Sequence, residues 1–157
     1  MSERPNDSSE RPFADLLERR EVFRGKTVRL TVDHVRMPNG EEVHLERIHH
    51  VGAAAVLPLL ANGDVVLVRQ VRWTTGGWLL EVPAGKLDPG EKPEQCAVRE
   101  LAEEAGYLAG KLEPLGAIWP TPGFADEKIW LFLATELTEV PQALERDEVL
   151  EVVLEQN

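Results

Sequence analysis

The residues best suited to chemistry fall in one short stretch. Four carboxylates, Glu91, Glu100, Glu103 and Glu104, and one guanidinium, Arg99, lie between Gly85 and Gly106. On a helix, positions three and four apart share a face. Glu100, Glu103 and Glu104 therefore converge if this stretch is helical, and Glu91 can reach back from the preceding loop. Like charges at such spacings destabilise a helix by ~0.2–0.5 kcal/mol each, so a bare cluster is disfavoured unless something neutralises it. Hard divalent cations take oxygen ligands, and Mg²⁺ commonly uses a couple of carboxylates plus substrate phosphates. Arg99 sits beside the cluster and can pair with Glu91 or Glu103. The ordinary alternative is an acidic helix face turned to water.

The elements that must position these groups can be read from pattern. A helix is expected from Pro93 to about Ala105, with Pro93 at its first position, Gly106 as its stop and Lys92 as a poor N-cap. Gly85 to Glu91 is a loop, entered from a strand over Trp78–Pro83. Apolar runs at Ala53–Leu60 and Val65–Gln70 flank Asn62-Gly63-Asp64 and predict a hairpin buried on both faces. Leu115–Trp119, Ile129–Thr135 and Val149–Leu154 supply further strands around the one helix, a mixed α/β pattern.

Upstream, residues 1–12 are polar and read as a flexible tail. Residues 13–49 read as a small β meander turning at Pro38-Asn39-Gly40, with Val43, Leu45 and Ile48 as its apolar side. It has too little apolar mass to stand alone. It is expected to pack on the main body, residues 50–157, or on a second subunit.

At 157 residues and 43% hydrophobic, the chain fits one core-forming domain. Its net charge of −11 argues against nucleic-acid and anionic-membrane partners. It leaves room for a small phosphate ligand if the carboxylates bring metal with them. No apolar run reaches the roughly 18 residues of a membrane span. Met1-Ser-Glu-Arg-Pro-Asn lacks the apolar core of a secretory signal. The single cysteine, Cys96, excludes an internal disulfide and reads as a small buried hydrophobe. A cytoplasmic setting is the expectation.

The string G-x5-E-x7-R-E-L-x-E-E-x-G occurs complete from Gly85 to Gly106. It resembles the Nudix box of hydrolases acting on nucleoside diphosphates linked to another moiety. The resemblance implies an α/β/α sandwich around a mixed sheet, with hydrolysis of a pyrophosphate bond. Mg²⁺, Mn²⁺ or another divalent cation is implied with it. Glu100 and Glu104 match the family's metal ligands, and Glu103 a third carboxylate that ligates metal or helps activate water. Glu91 and Arg99 match an orienting pair. Tyr107, at the box's last position, departs from the usual aliphatic residue.

Flanking segments resemble the ADP-ribose (ADP-sugar) pyrophosphatase branch: His50-Val-Gly-Ala-Ala-Ala-Val, Val68-Arg-Gln-Val-Arg72, Leu80-Glu-Val-Pro-Ala-Gly85 and Pro122 within Trp119-Pro-Thr-Pro-Gly-Phe. By that match the Ala84 carbonyl is a metal ligand, and Arg72 meets the diphosphate or terminal ribose. Arg47 stacks on or clamps the adenine, within its own chain or across the subunit boundary of a homodimer, and Pro122 and Gly123 belong to the substrate-binding loop. Glu148, or failing it Glu145, is the further carboxylate acting as base. The branch normally continues into a C-terminal helix, without a counterpart after Leu154-Glu-Gln-Asn157. The implied reaction splits an ADP-sugar into AMP and a sugar phosphate. GDP-sugars, dinucleoside polyphosphates and a non-catalytic nucleotide sensor are the alternatives. Trp73, Trp78, Trp119, Trp130 and Phe124 are expected in the core or at a dimer contact. His34, His44, His49 and His50 show no ligand spacing and are assigned no metal.

Overall fold

The computed structural model describes residues 13–144, 146 and 148–156, so the expectations for the tail at 1–12 and for Glu145 fall outside the described residues. The chain forms two compact units. Among the described residues, one comprises 13–50 together with Thr121–Asp126; the other comprises Val51–Pro120 and those from Glu127 onward.

In the first unit, β1 (Asp15–Arg24), β2 (Arg29–Arg36) and β3 (Glu42–His49) form an antiparallel sheet in that order. The β2–β3 turn uses Gly40 at φ +87°, and its amide donates to the Met37 carbonyl. The alternation holds, but the buried side is polar. Thr31 and Asp33 are buried while Leu45 is half exposed and every residue of β1 is exposed. Arg19 explains the inversion: its guanidinium crosses from β1 and donates two hydrogen bonds to Asp33, at 2.7 and 2.6 Å. An ion pair thus fills the place that an apolar contact was expected to take. Residues 121–126 join this unit at β3, where the Ile48 amide donates to the Phe124 carbonyl and the Asp126 amide to the Ile48 carbonyl.

The second unit holds two sheets. β7 (Ala84–Lys86), β4 (Ala53–Pro58), β9 (Ile129–Glu139) and β8 (Tyr107–Ile118) form a mixed sheet in that order, β4 running parallel to β9 and antiparallel to β7. β10 (Leu150–Glu155), β5 (Val65–Arg72) and β6 (Gly77–Glu81) form the other, antiparallel one. The expected β4–β5 hairpin is therefore corrected. The Asn62-Gly63-Asp64 turn forms, with the Leu60 amide donating to the Asp64 carbonyl, yet only the bridge Leu59–Val65 joins the strands. They diverge because each has its own partners on the far side, β7 and β9 for β4, β6 and β10 for β5.

The helix α1 (Pro93–Glu100) starts where Pro93 and the Gln95 side chain allow it, the Gln95 carbonyl oxygen accepting the Lys92 amide at 3.0 Å. That contact supplies the cap which the lysine side chain cannot. From Leu101 to Ala105 the backbone widens into a π turn and stops at Gly106, φ +73°. Cys96, Ala97, Leu101 and Ala105 face Ala54, Val56, Val66, Phe132 and Ala134 in one core. Small residues on β4 let the helix approach closely. α1 packs on β4 and β7, and its π continuation on β5, β8 and β10. The result is the α/β architecture with a mixed sheet that was expected, with one α-helix among the described residues. No helix among them is long and apolar enough to cross a membrane.

The tryptophans fall into two groups. Trp130 packs against the core, but Trp73, Trp78, Trp119 and also Phe124 are largely exposed. Trp73 lies on the tight turn between β5 and β6, where the short connection leaves nothing to cover it. Lys128 instead sits over the rings of Trp119 and Trp130, 5.1 and 4.9 Å from their centroids.

Candidate active site

The site is assembled by the loop before α1 and by the helix with its π turn. Arg99 is its hub. Its Nε and Nη2 donate to the two oxygens of Glu91, each at 2.9 Å, while Nη1 donates to Glu100 at 2.6 Å and to Glu103 at 3.1 Å. Nη2 also donates to the Lys86 carbonyl. Sequence spacing offers Arg99 either Glu91 or Glu103; the structure gives it both, and the neighbouring Glu100 as well. The Asp88 amide donates to Glu91 too, and these donors hold the Glu91 carboxyl down at about 2. Glu91 is thereby a fixed anion that orients Arg99, which in turn fixes two further carboxylates.

Glu100 and Glu104 are in another condition. They are 7% and 3% exposed. Desolvation raises both carboxyls above the usual range, with Arg99 partly offsetting it at Glu100. Glu104 is pushed up to about 7, opposed by the hydrogen bond it accepts from the Ala84 amide at 2.9 Å. Glu148 adds negative charge felt by both, and Arg72 adds positive charge felt by Glu104. The Arg72 guanidinium donates to Glu81 at 2.9 Å across the β5–β6 ladder.

Close packing around these carboxylates explains the glycine at the head of the box. A Cβ on Gly85 would lie 1.8 Å from a Glu100 carboxylate oxygen, so any side chain there displaces the carboxylate. The Cys96 thiol, buried beneath, donates to the Gly85 and Lys86 carbonyls at 3.4 and 3.5 Å. Burial and the nearby Glu100 push that thiol up to about 12, so it remains a neutral packing group.

The predicted substrate residues divide between the units. Arg72, Ala84 and Glu148 belong to the second, with the carboxylates. Arg47, Pro122 and Gly123 belong to the first, where Arg47 donates to Asp126. Sequence reasoning missed Gly85 as a steric requirement, Glu81 as the anchor of Arg72, and Asp126. The first was legible as a box glycine. The others carry no local signal, since Arg47 and Asp126 lie 79 positions apart.

Among the described residues, no three His, Cys, Asp or Glu side chains already converge on a cation position. The donor set nonetheless suits a hard divalent ion. Burial desolvates both carboxylates and raises them despite Arg99 at Glu100 and Arg72 near Glu104, and oxygen donors are what Mg²⁺ or Mn²⁺ selects.

Comparison with known proteins is consistent with this geometry. The family model described as NUDIX domain matches residues 48–156. The chain belongs to the NUDIX domain family. This Nudix chain is 42% identical over 144 residues to an ADP-ribose pyrophosphatase of Bacillus subtilis, covering 88% of the chain and 78% of the relative. It is 39% identical over 135 residues to a methanol dehydrogenase activator of Bacillus methanolicus, covering 85% and 73%. Its fold matches the crystal structure of an ADP compounds hydrolase with a TM-score of 0.79 at 24% identity, over 94% of this chain and 80% of that one. The Gly85–Gly106 segment lies wholly inside the matched Nudix region.

Proposed function

We propose that the chain hydrolyses the pyrophosphate bond of ADP-ribose or a related ADP-sugar, releasing AMP and a sugar phosphate. The observation that carries this reading is the pair of buried, under-compensated carboxylates, Glu100 and Glu104, beside the Arg99–Glu91 clamp. Likeness to a B. subtilis ADP-ribose pyrophosphatase supports the choice of substrate.

Glu100, Glu104 and the Ala84 carbonyl hold Mg²⁺ or Mn²⁺ in this account, with Glu103 as a further ligand. Bound there, such an ion neutralises the diphosphate and acidifies water. Glu91 and Arg99 keep the carboxylate rotamers in place. Glu148 or Glu103 accepts the proton of the attacking water, with Glu145 as the alternative base. Arg72, steadied by Glu81, meets the diphosphate or ribose, and Arg47, Pro122 and Gly123 hold the nucleoside end. The exposed β1 strand makes the meander a candidate dimerisation element of a cytoplasmic homodimer.

Incubation with ADP-ribose, a GDP-sugar and a dinucleoside polyphosphate, with Mg²⁺ or with chelator, tests the reading. AMP release from ADP-ribose alone, abolished by chelator, is expected. Preferential turnover of a GDP-sugar would move the substrate, and tight ADP-ribose binding without turnover would make the chain a sensor.

A further inference from the structure

Asp126 lies in the first unit, outside the Nudix box, and makes more contacts than a loop tie requires. Its Oδ1 accepts the His50 backbone amide at 2.7 Å. Its Oδ2 accepts Nε and Nη2 of Arg47, at 3.1 and 2.8 Å, and lies 3.2 Å from His49 Nδ1. His49 is itself fixed, its Nε2 lying 3.0 Å from the Thr31 hydroxyl, which donates to Asp33 under Arg19. One carboxylate thus gathers the end of β3 and the Thr121–Asp126 segment. That segment contains Pro122 and Gly123.

Stability does not account for the arrangement. The backbone bonds between Ile48 and Phe124 and between Ile48 and Asp126 already fasten the segment. The Arg47 side chain is 44% exposed, and ion pairs of such exposure add little to folding. What the pairing does achieve is to immobilise one edge of a guanidinium whose side chain is only partly covered. An arginine held before binding surrenders less side-chain freedom when a ligand arrives. Its planar face and free edge suit a nucleobase or an anionic group.

We infer that Asp126 is a positioning residue, which presents the Arg47 guanidinium and the Thr121–Asp126 segment together to the nucleotide end of the substrate. The inference rests on the assignment of Arg47 to substrate made above. Asp126→Asn separates positioning from tying. The asparagine carbonyl can still accept the His50 amide, but its NH₂ then faces the Arg47 donors and cannot accept from them.

Steady-state kinetics on ADP-ribose with Asp126→Asn, Arg47→Ala and the double variant provide the test, with melting temperature measured alongside. Asp126→Asn should raise KM by ~3–10-fold with kcat within about twofold and melting unchanged, and the double variant should be no worse than Arg47→Ala. A wild-type KM in Asp126→Asn, or effects that multiply in the double variant, would overturn the inference. A wild-type KM in Arg47→Ala would instead remove Arg47 from the substrate site, and the inference with it. Should ADP-ribose not be turned over at all, calorimetric affinities of the same variants for ADP-ribose carry the same comparison.

Discussion

Asp33 in the first unit and Glu104 in the second are equally buried, at 5% and 3% exposed, yet their environments push them in opposite directions. Asp33 accepts two hydrogen bonds from Arg19 and one from Thr31, and these hold its carboxyl below the usual range. Glu104, desolvated by its burial, receives one neutral backbone donor, feels the charges of Glu100 and Glu148, and sits at about 7. Burial alone therefore does not say what a carboxylate is for. A paired one completes a fold; one left short of positive charge is suited to collect a cation.

The largest effect should come from removing the under-compensated pair. Glu100→Gln/Glu104→Gln should lower ADP-ribose hydrolysis by ~10³-fold or more, since a catalytic metal supplies several kcal/mol of transition-state stabilisation. The same variant should melt higher than wild type at pH 8 in chelator, because it no longer ionises two desolvated groups. A lower melting temperature there would erase the contrast with Asp33.

Gly85→Ala should weaken Mn²⁺ binding by ~10–100-fold, the range expected when a ligand's support is disturbed. The methyl group would fall on the Glu100 carboxylate. Binding unchanged in calorimetry would show that Glu100 can move without loss.

Arg19→Ala should do the reverse of the glutamate variant. It leaves Asp33 buried with only Thr31, and denaturant unfolding at pH 7 should show a loss of ~1–3 kcal/mol, tempered by the partial exposure of Arg19.

The smallest effect is a matter of slope. Below the unfolded carboxylate pKa, near 4, Asp33 and Glu91 lose their contribution to stability as pH falls, because the unfolded chain then binds more protons. Glu104 acts oppositely. Between its unfolded value and about 7 the folded chain holds the extra proton, so stability declines as pH rises through that window. Mg²⁺ should flatten this second slope and leave the acid one, as pH-dependent melting curves would show.

Much of the second unit was legible because the box is local. Helix periodicity and fixed spacing bring Glu91, Arg99, Glu100 and Glu104 together within 14 positions. The π turn was not legible: Leu101–Ala105 has ordinary helix formers, and it widens only where it is packed against β5, β8 and β10. The β4–β5 hairpin failed for a related reason, since a turn signal does not reveal which sheet each strand joins. The polar interior of the first unit was hidden too. Alternation marks Thr31 and Asp33 as one face but does not say that Arg19 will cover it.

The proposed function has Glu100 and Glu104, buried and desolvated in the second unit, hold a divalent cation. Its most direct test is calorimetric titration of Mn²⁺ into chelator-stripped protein at pH 7, in buffers of different ionisation enthalpy. Wild type should bind with net proton release, seen as a buffer-dependent heat, and Glu100→Gln/Glu104→Gln should neither bind nor release. Equal binding by the variant, or wild-type binding without proton release, would contradict the account.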